Sequence, residues 1–522
     1  MQSIGVQVSG VETETAHPIV FRRRIRETQS VSMGSNISAA TQPSIVWLRR
    51  DLRLQDNPAI NAAAQRGGEI YLIYIDDVAE TLRPMGGATL WWLDKSLRNI
   101  SREIAAHGGR LILRRGNPLE ILSEVIDATG ANAVFWNRRY GAAEREIDAE
   151  IKQKLSDRKV AVESFNGSLL TEPWTQKTGS GSYYRVFTPY WKNVRANFTP
   201  AQALPTPKRL HDPQTVRSDD IDDWAWHPTK PDWSAGFSEM WTPGEAGAHK
   251  RLDEFIAHGL SGYSDDRNRP DLSHGTSGLS PHLAAGEISP AQIWRSVRGH
   301  IYTGNVNTDS AWTFLSEVVW RDFSYVLLFH NSDLATENYN AKFDAMPWRD
   351  DAPDLTAWQK GQTGYPIVDA GMRQLWHTGW MHNRVRMIVA SFLTKHLLIP
   401  WQSGEAWFWD TLVDADPASN SASWQWTAGS GADAAPYFRV FNPITQGEKF
   451  DATGDYVRTW CPELSSLPRK HLYAPWEASA ETLRQAGIEL GTDYPKPIVE
   501  HKQGRERALD AYNSMKEKRE FA

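Results

Sequence analysis

Residues 44–75 read SIVWLRRDLRLQDNPAINAAAQRGGEIYLIYI. Two short apolar runs, Ile45–Leu48 and Ile70–Ile75, stand at its two ends, and runs of this length and composition suit buried strands. The same punctuation continues outward, with further runs at Leu111–Leu113, Ala133–Trp136 and Val160–Val162 and helical patterns between them. Between the second and third runs, Leu90, Leu93, Leu97, Ile100 and Ile104 recur at three-and-four spacing, which predicts an amphipathic helix. Strand–helix alternation from Ser44 to about Phe165 predicts a parallel sheet covered on both faces. No GxGxxG follows the first run and no P-loop motif occurs. The fold thus predicts a nucleotide-sized crevice without naming its occupant.

Beyond this region the texture changes. Residues 171–245 are irregular and carry Pro189, Pro200, Pro205, Pro207, Pro213, Pro228, Pro231 and Pro243, the composition of a long connector. From Ala246 onward the patterns are helical, over 247–259, 290–300, 311–329, 366–377, 380–398 and 404–413. The predicted organisation is a disordered leader (1–43), a Rossmann-like parallel α/β domain (44–170), a linker (171–245), an all-helical domain (246–515) and a short tail (516–522). Met33 is a candidate alternative start.

Composition narrows the function. The chain has 522 residues, 40% of them hydrophobic, enough for two or three domains. Its 57 basic and 63 acidic residues give a formal net charge of −6. Taken alone, that balance runs against a nucleic-acid partner, although a local basic rim can bind phosphates on an otherwise acidic surface. The single cysteine, Cys461, rules out an intrachain disulfide and a Cys-rich zinc site, and a reducing, cytoplasmic location is expected. No run of about 18 apolar residues is present, so no membrane span is expected. The 24 tryptophans point to stacking on bases, on a planar cofactor or along an electron path, over and above core packing.

Three constellations carry chemistry. In Gly275-Thr-Ser-Gly-Leu-Ser-Pro281 the Ser280–Pro281 pair is a helix start, where hydroxyls and free backbone N–H groups suit an anion; an ordinary loop and cap is the plainer reading. Glu317, Trp320 and Arg321 share one helix face by their i, i+3, i+4 spacing, and so do Asn383, Arg386 and Met387 on a helix starting near Trp380. A surface salt-bridge stripe is the alternative, on which tryptophan and methionine fit poorly. In Asp414-Ala-Asp-Pro-Ala-Ser-Asn420 the carboxylates do not have the ligand spacing of a calcium loop, so no metal is expected. They suit pairing with arginine or accepting hydrogen bonds from a cofactor.

Together these stretches resemble the photolyase/cryptochrome family. The resemblance rests on Trp47-Leu-Arg-Arg-Asp-Leu-Arg-Leu54, Glu317-Val-Val-Trp-Arg321, Gly364-Tyr-Pro-Ile-Val-Asp-Ala-Gly-Met-Arg373, Gly379-Trp-Met-His-Asn-Arg-Val-Arg-Met387 and Asp433-Ala-Ala-Pro-Tyr-Phe-Arg-Val-Phe-Asn-Pro443. It covers about residues 44–515 and is nearest to cyclobutane pyrimidine dimer photolyases of class III or class I. It implies bent FAD, active when reduced, in the helical domain. Tyr263, Thr276, Ser277, Leu279 and Ser280 would hold its phosphates and ribose, with Gly278, Phe314 and Arg321 completing the cofactor-binding set. Asn383, Arg386, Asp414, Asp416 and Asn420 would surround the flavin ring, Arg386 pairing with Asp414 and Asn420 facing the flavin N5.

The substrate implied is UV-damaged DNA, bound as a monomer without an obligate protein partner. By resemblance Glu317, Trp320, Asn383, Met387 and Trp426 hold the flipped dimer, while Arg267, Arg321, Arg384 and Gln446 contact the strand. Glu317, Asn383 and Asn420 form the implied catalytic set. Relatives that repair (6-4) photoproducts have histidines at the positions of Asn383 and Met387, so the cyclobutane lesion is favoured. Trp424, Trp401 and Trp348 match the family's electron path to oxidised flavin. Glu144 matches the acidic residue of a folate antenna site, implying 5,10-methenyltetrahydrofolate, although the asparagine usually preceding it is Ala143 here. A signalling cryptochrome is the rival reading, and the retained lesion-contacting set favours the enzyme.

Overall fold

The computed structural model describes residues 42–517, apart from 211, 213–214 and 435–437. Most of the expected leader and tail therefore lie outside the described residues. Five parallel strands form one sheet: β1 (Ser44–Leu48), β2 (Ile70–Asp77), β3 (Leu111–Gly116), β4 (Ala133–Asn137) and β5 (Ala161–Phe165), in the order β3-β2-β1-β4-β5. Helices α1 (Pro58–Arg66), α2 (Gly87–Ala106), α3 (Pro118–Thr129) and α4 (Ala142–Asp157) alternate with them. Val46, Leu48, Leu72 and Tyr74 fill one face of the sheet, and Ile45, Trp47, Tyr71 and Ile73 the other. The inner strands β1 and β4 and most of β2 are apolar because both faces are buried, whereas the edge strands β3 and β5 carry Arg114, Arg115 and Glu163 at partly or fully exposed positions.

At the strand ends where the order reverses, between β1 and β4, open sheets of this type form their ligand crevice. Here Arg49 and Arg139 converge on Asp148, at 2.9 and 2.7 Å. Arg49 also donates to the Asn137 carbonyl and lies over the Trp47 ring, 4.4 Å from its centroid. An ion cluster thus stands at the switch point where the sequence predicts a crevice.

The connector is more ordered than its prolines predict. It contains α5 (Phe187–Asn197), in which Pro189 sits in the first turn, where its missing N–H costs nothing, and the short α6 (Phe237–Met240). The helical half follows with α7 (Glu245–His258), α8 (Tyr263–Asp266), α9 (Ser280–Ala285), α10 (Pro290–Thr303), α11 (Thr308–His330), α12 (Ala352–Gln359) and α13 (Pro366–Thr378). Next come α14 (Asn383–Ser391), α15 (Trp401–Thr411), α16 (Pro417–Ala428) and α17 (Pro443–Phe450), and the last helix is His501–Glu517. The pattern expected over 380–398 resolves differently: α14 begins at Asn383, capped by His382, and passes after Ser391 into one π-helical turn, Phe392–His396. The wide π turn disrupts the α periodicity that the sequence pattern assumes.

Helix α16 packs against α11, α14 and α15, so three long helices enclose a common space. The α/β half is keyed to this bundle through its β1–α1 loop. Leu52 N–H donates to the Ala285 carbonyl, and the buried Arg53 guanidinium donates to the carbonyls of Gly286 (2.9 Å) and Gly167 (2.7 Å). Trp92 donates its indole N–H to the buried Glu287 at 3.0 Å.

Asp322 of α11 pins the start of the connector, accepting from Thr171 N–H at 2.8 Å, while its other oxygen is buried without a partner. Burial pushes its carboxyl up to about 7 from the ordinary 3.8. Because the folded value is the higher one, the neutral form stabilises the fold below the unfolded value, and that contribution is lost as pH rises through the folded one. Relative to Asp322→Asn, the wild type should lose about 1.4 kcal/mol per pH unit across roughly pH 4 to 7. Thermal melts of the two proteins over that range check this; parallel curves would refute it.

Candidate functional site

The space among α11, α14 and α16 is a cavity of about 550 Å³, within the range that small-molecule and cofactor sites occupy. One end is formed by Tyr263 and the loop Thr276–Ser280. Phe314, Glu317, Trp320 and Arg321 project from α11, and Asn383, Arg384, Arg386 and Met387 from α14. Asp414, Asp416, Asn420, Trp424 and Trp426 complete the wall from α16 and the segment before it. Residues more than 160 positions apart in the sequence thus share one cavity. Gln446, Trp348, Trp401 and Glu144 lie off its lining. Gln446 is on α17, whose Phe450 lies under the Arg384 guanidinium at 4.4 Å.

The loop end differs from its sequence reading. Ser280 is the first residue of a helix only six residues long and makes no capping bond; its hydroxyl instead accepts the Trp380 indole N–H at 3.2 Å. Gly278 has φ +62, a left-handed conformation that brings its backbone to the cavity wall beside Arg251.

The polar groups of α14 and α16 are held in defined states. Arg386 donates to the Met381 carbonyl at 2.7 Å and pairs with Asp414 at 2.8 Å. The second Asp414 oxygen is buried without a partner, and an unsatisfied buried carboxylate oxygen marks a place for a donor. Asp416 has less to offer a ligand. One of its oxygens caps α16, accepting from Ala418 and Ser419 N–H at 3.0 and 2.8 Å, and the other accepts the Tyr325 hydroxyl at 2.8 Å. Asn420 donates its amide to Glu405 of α15, to a carboxylate oxygen at 2.8 Å and to the carbonyl at 3.1 Å.

The rim has its own pairs. Glu317 and Arg267 form an ion pair at 2.8 Å. Burial pushes the Glu317 carboxyl up, and the Arg267 guanidinium partly offsets this. Trp320 is stacked on Phe187 of α5, centroids 3.7 Å apart and planes 12° apart. Trp426 is oriented by its indole N–H, which donates to the Asp433 carbonyl at 3.1 Å. Arg384 donates to Asn268 at 2.7 Å. Phe187, Asn268, Glu405 and Arg83, the last bound to Glu405, are functional neighbours that sequence reasoning missed. A lone carboxylate on the apolar face of α15 was the one available signal, for Glu405.

An α/β half joined to a helical bundle, with hydroxyls and backbone at one end of a mixed cavity and a charge pair at the other, defines a protein that binds an extended nucleotide-like cofactor. Comparison with known families agrees. Residues 44–208 match the model described as DNA photolyase, and residues 314–514 the one described as the FAD binding domain of DNA photolyase. The deoxyribodipyrimidine photo-lyase of Agrobacterium fabrum is 52% identical over 484 residues, spanning 92% of this chain and 99% of that protein. Cryptochrome-2 of Arabidopsis thaliana is 37% identical over 490 residues, 91% of this chain and 79% of its own length. The crystal structure of a bacterial class III photolyase from Agrobacterium tumefaciens superposes with a TM-score of 0.89 at 52% identity, covering 92% of this chain and all of that one. The chain belongs to the photolyase/cryptochrome family, and its helical half is an FAD-binding domain.

The residues present fit FAD: the cavity is large enough for a folded dinucleotide, one end carries hydroxyls for phosphates, and Asp414 keeps an acceptor unsatisfied. Asp414→Asn removes the charge that holds Arg386 in place. Hydrogen bonds to charged groups contribute about 1.5–3 kcal/mol, so FAD affinity should fall roughly tenfold or more. Titration of the apoprotein with FAD measures this, and unchanged affinity would exclude the pair from the cofactor site.

Proposed function

We propose that the chain repairs cyclobutane pyrimidine dimers in UV-damaged DNA by light, as a deoxyribodipyrimidine photolyase, with FAD in this cavity and the lesion at its mouth. The observation that carries the reading is continuity: Glu317, Trp320, Asn383, Met387 and Trp426 wall the same cavity as Arg386, Asp414 and Asn420. Bound in its reduced form, FAD would supply, on excitation, the electron that opens the cyclobutane ring, and would take it back afterwards. The chain's own residues do the rest. A dimerised pair of bases stacks and pairs poorly, so extruding it costs a few kcal/mol, less than for intact bases. Trp320, backed by Phe187, and Trp426 offer rigid indole surfaces, worth about 1–3 kcal/mol per stacked base. Glu317, kept partly buried and paired to Arg267, is placed to accept hydrogen bonds from the lesion and to steady charge developing on it. Arg267 and Arg384 supply positive charge for the strand, with Gln446 on the neighbouring α17; Arg321, expected on the strand as well, instead turns its guanidinium inward, donating to the Ser168 carbonyl at 2.6 Å beside Asp416.

Tyr263, Thr276, Ser277, Gly278, Leu279 and Ser280 are assigned to the phosphates and ribose, and Asn420 to the flavin N5. Trp424, Trp401 and Trp348 are assigned to electron transfer toward oxidised flavin. Trp424 is buried in the cavity wall, edge-on to Trp358 at 6.1 Å and Phe408 at 5.0 Å, and Trp401 donates to Asn338 at 2.9 Å. A folate antenna, 5,10-methenyltetrahydrofolate, is assigned to the neighbourhood of Glu144. That carboxylate accepts from Gly141 N–H at 3.1 Å at the start of α4. No helix among the described residues is long and apolar enough to cross a membrane. The reading has the chain acting as a monomer, in the cytoplasm with the DNA.

The test is dimer loss from an oligonucleotide carrying one cyclobutane thymine dimer, mixed with reduced protein under blue light and in the dark. Light-dependent loss is expected. No loss despite bound reduced flavin would turn the assignment to a photoreceptor. Glu317→Ala should keep its flavin while its repair yield drops at least several-fold; undiminished repair would remove Glu317 from the lesion site. Trp424→Phe should repair normally once chemically reduced yet fail to photoreduce from the oxidised state. Photoreduction at the wild-type rate would exclude Trp424 from the path.

A further inference from the structure

Asn420 does not stand alone at the cavity wall. Both contacts of its amide nitrogen are to pure acceptors, the Glu405 carboxylate at 2.8 Å and the Glu405 carbonyl at 3.1 Å. An amide NH₂ has two hydrogens, so both are used there, and the atom left to face the cavity is the carbonyl oxygen. That orientation depends on Glu405 remaining a carboxylate, and Glu405 is almost completely buried. Its counter-charge comes from the other half of the molecule. Arg83, in the loop between β2 and α2, makes a two-point contact with it, at 2.7 and 2.8 Å.

The loop is held in register for this task. Trp409 donates its indole N–H to the Pro84 carbonyl at 2.8 Å, and the Arg83 guanidinium lies 4.3 Å over the same indole. Gly87 N–H donates to Asp410 at 2.8 Å. A Cβ on Gly86 would come within 2.1 Å of the Trp409 carbonyl oxygen, so the backbones touch and glycine alone fits.

We propose that Arg83 is a positioning residue for the flavin: acting through Glu405, it fixes which atom of the Asn420 amide meets the flavin N5. The proposal rests on the assignment of FAD to the cavity. A carbonyl oxygen accepts a hydrogen bond from a flavin protonated at N5, whereas an amide NH₂ favours a bare N5. Without Arg83 the buried Glu405 carboxylate loses its two-point partner and with it a fixed position. Its hold on the Asn420 amide then loosens, and the amide can turn its NH₂ toward the flavin. The α/β half thereby sets a redox property of a cofactor held by the helical half.

The experiment compares full-length holoprotein with Arg83→Met, Arg83→Lys and Glu405→Gln. The readouts are the visible spectrum during photoreduction across a pH series, which reports N5 protonation of the one-electron-reduced flavin, and the midpoint potential. Arg83→Met and Glu405→Gln should each weaken N5 protonation by about tenfold, seen as a shift of about one pH unit. Arg83→Lys, which keeps the charge, should restore most of the wild-type behaviour. Wild-type spectra and potential in Arg83→Met would overturn the proposal. Should Arg83→Met fail to retain flavin, Glu405→Gln decides, and an unshifted profile there overturns it equally. A wild-type protein that binds no flavin would instead refute the cofactor assignment.

Discussion

A close-packed interior does not leave several hundred cubic ångströms empty without reason, since unfilled space costs dispersion contacts and stability. The helical half of this protein is organised around such a space. Its walls are not the apolar surface that a dry cavity would have. They carry an arginine–aspartate pair, an aspartate oxygen without a partner, an oriented asparagine and a loop of hydroxyls. Buried polar groups of this kind are tolerable only when fully connected or when a ligand completes them. The bundle is therefore a holder whose packing is finished by its cofactor.

The connections within the walls divide the site into two kinds of residue. Arg386, Asp416 and Asn420 are tied down by protein partners, Met381 and Asp414, the α16 N–H groups and Tyr325, and Glu405 respectively. They offer pre-set atoms. Glu317 and Arg267 at the rim are tied to one another, and on the proposed reading the lesion exchanges with that pair. Preorganisation on the cofactor side and exchange on the substrate side suit one permanently bound group and one that comes and goes.

The α/β half contributes more than a platform. Arg53 donates to the Gly286 carbonyl of the helical half, Trp92 reaches Glu287, and Arg83 reaches Glu405. At its own switch point Arg49, Arg139 and Asp148 form an ion cluster. The loop between β2 and α2 reaches the cavity wall through Glu405 and Asn420.

Much of this was legible from local pattern. Five apolar runs became five parallel strands; the inner ones, buried on both faces, announce themselves by continuous hydrophobicity, and the exposed edge strand β5 by a short run at its start. The Glu317–Trp320–Arg321 and Asn383–Arg386–Met387 faces followed from helix periodicity and do line one cavity. Local pattern failed where geometry departs from the regular period or where tertiary contacts take over a residue. The helix expected from Trp380 starts at Asn383 and ends in a π turn, Ser280 serves Trp380 rather than a cap, and α5 forms within a proline-rich connector because its apolar face packs on α11.

By itself the sequence determined the two-part architecture, the family and the chemical types of the cavity residues, since these depend on periodicity and on motifs read along the chain. Only the tertiary structure decided the pairings: Glu317 with Arg267, Asn420 with Glu405, and Glu405 with Arg83 across 322 positions. A hydrogen bond is set by distance and angle in space. No periodicity along the chain encodes which loop of one half will meet which helix of the other.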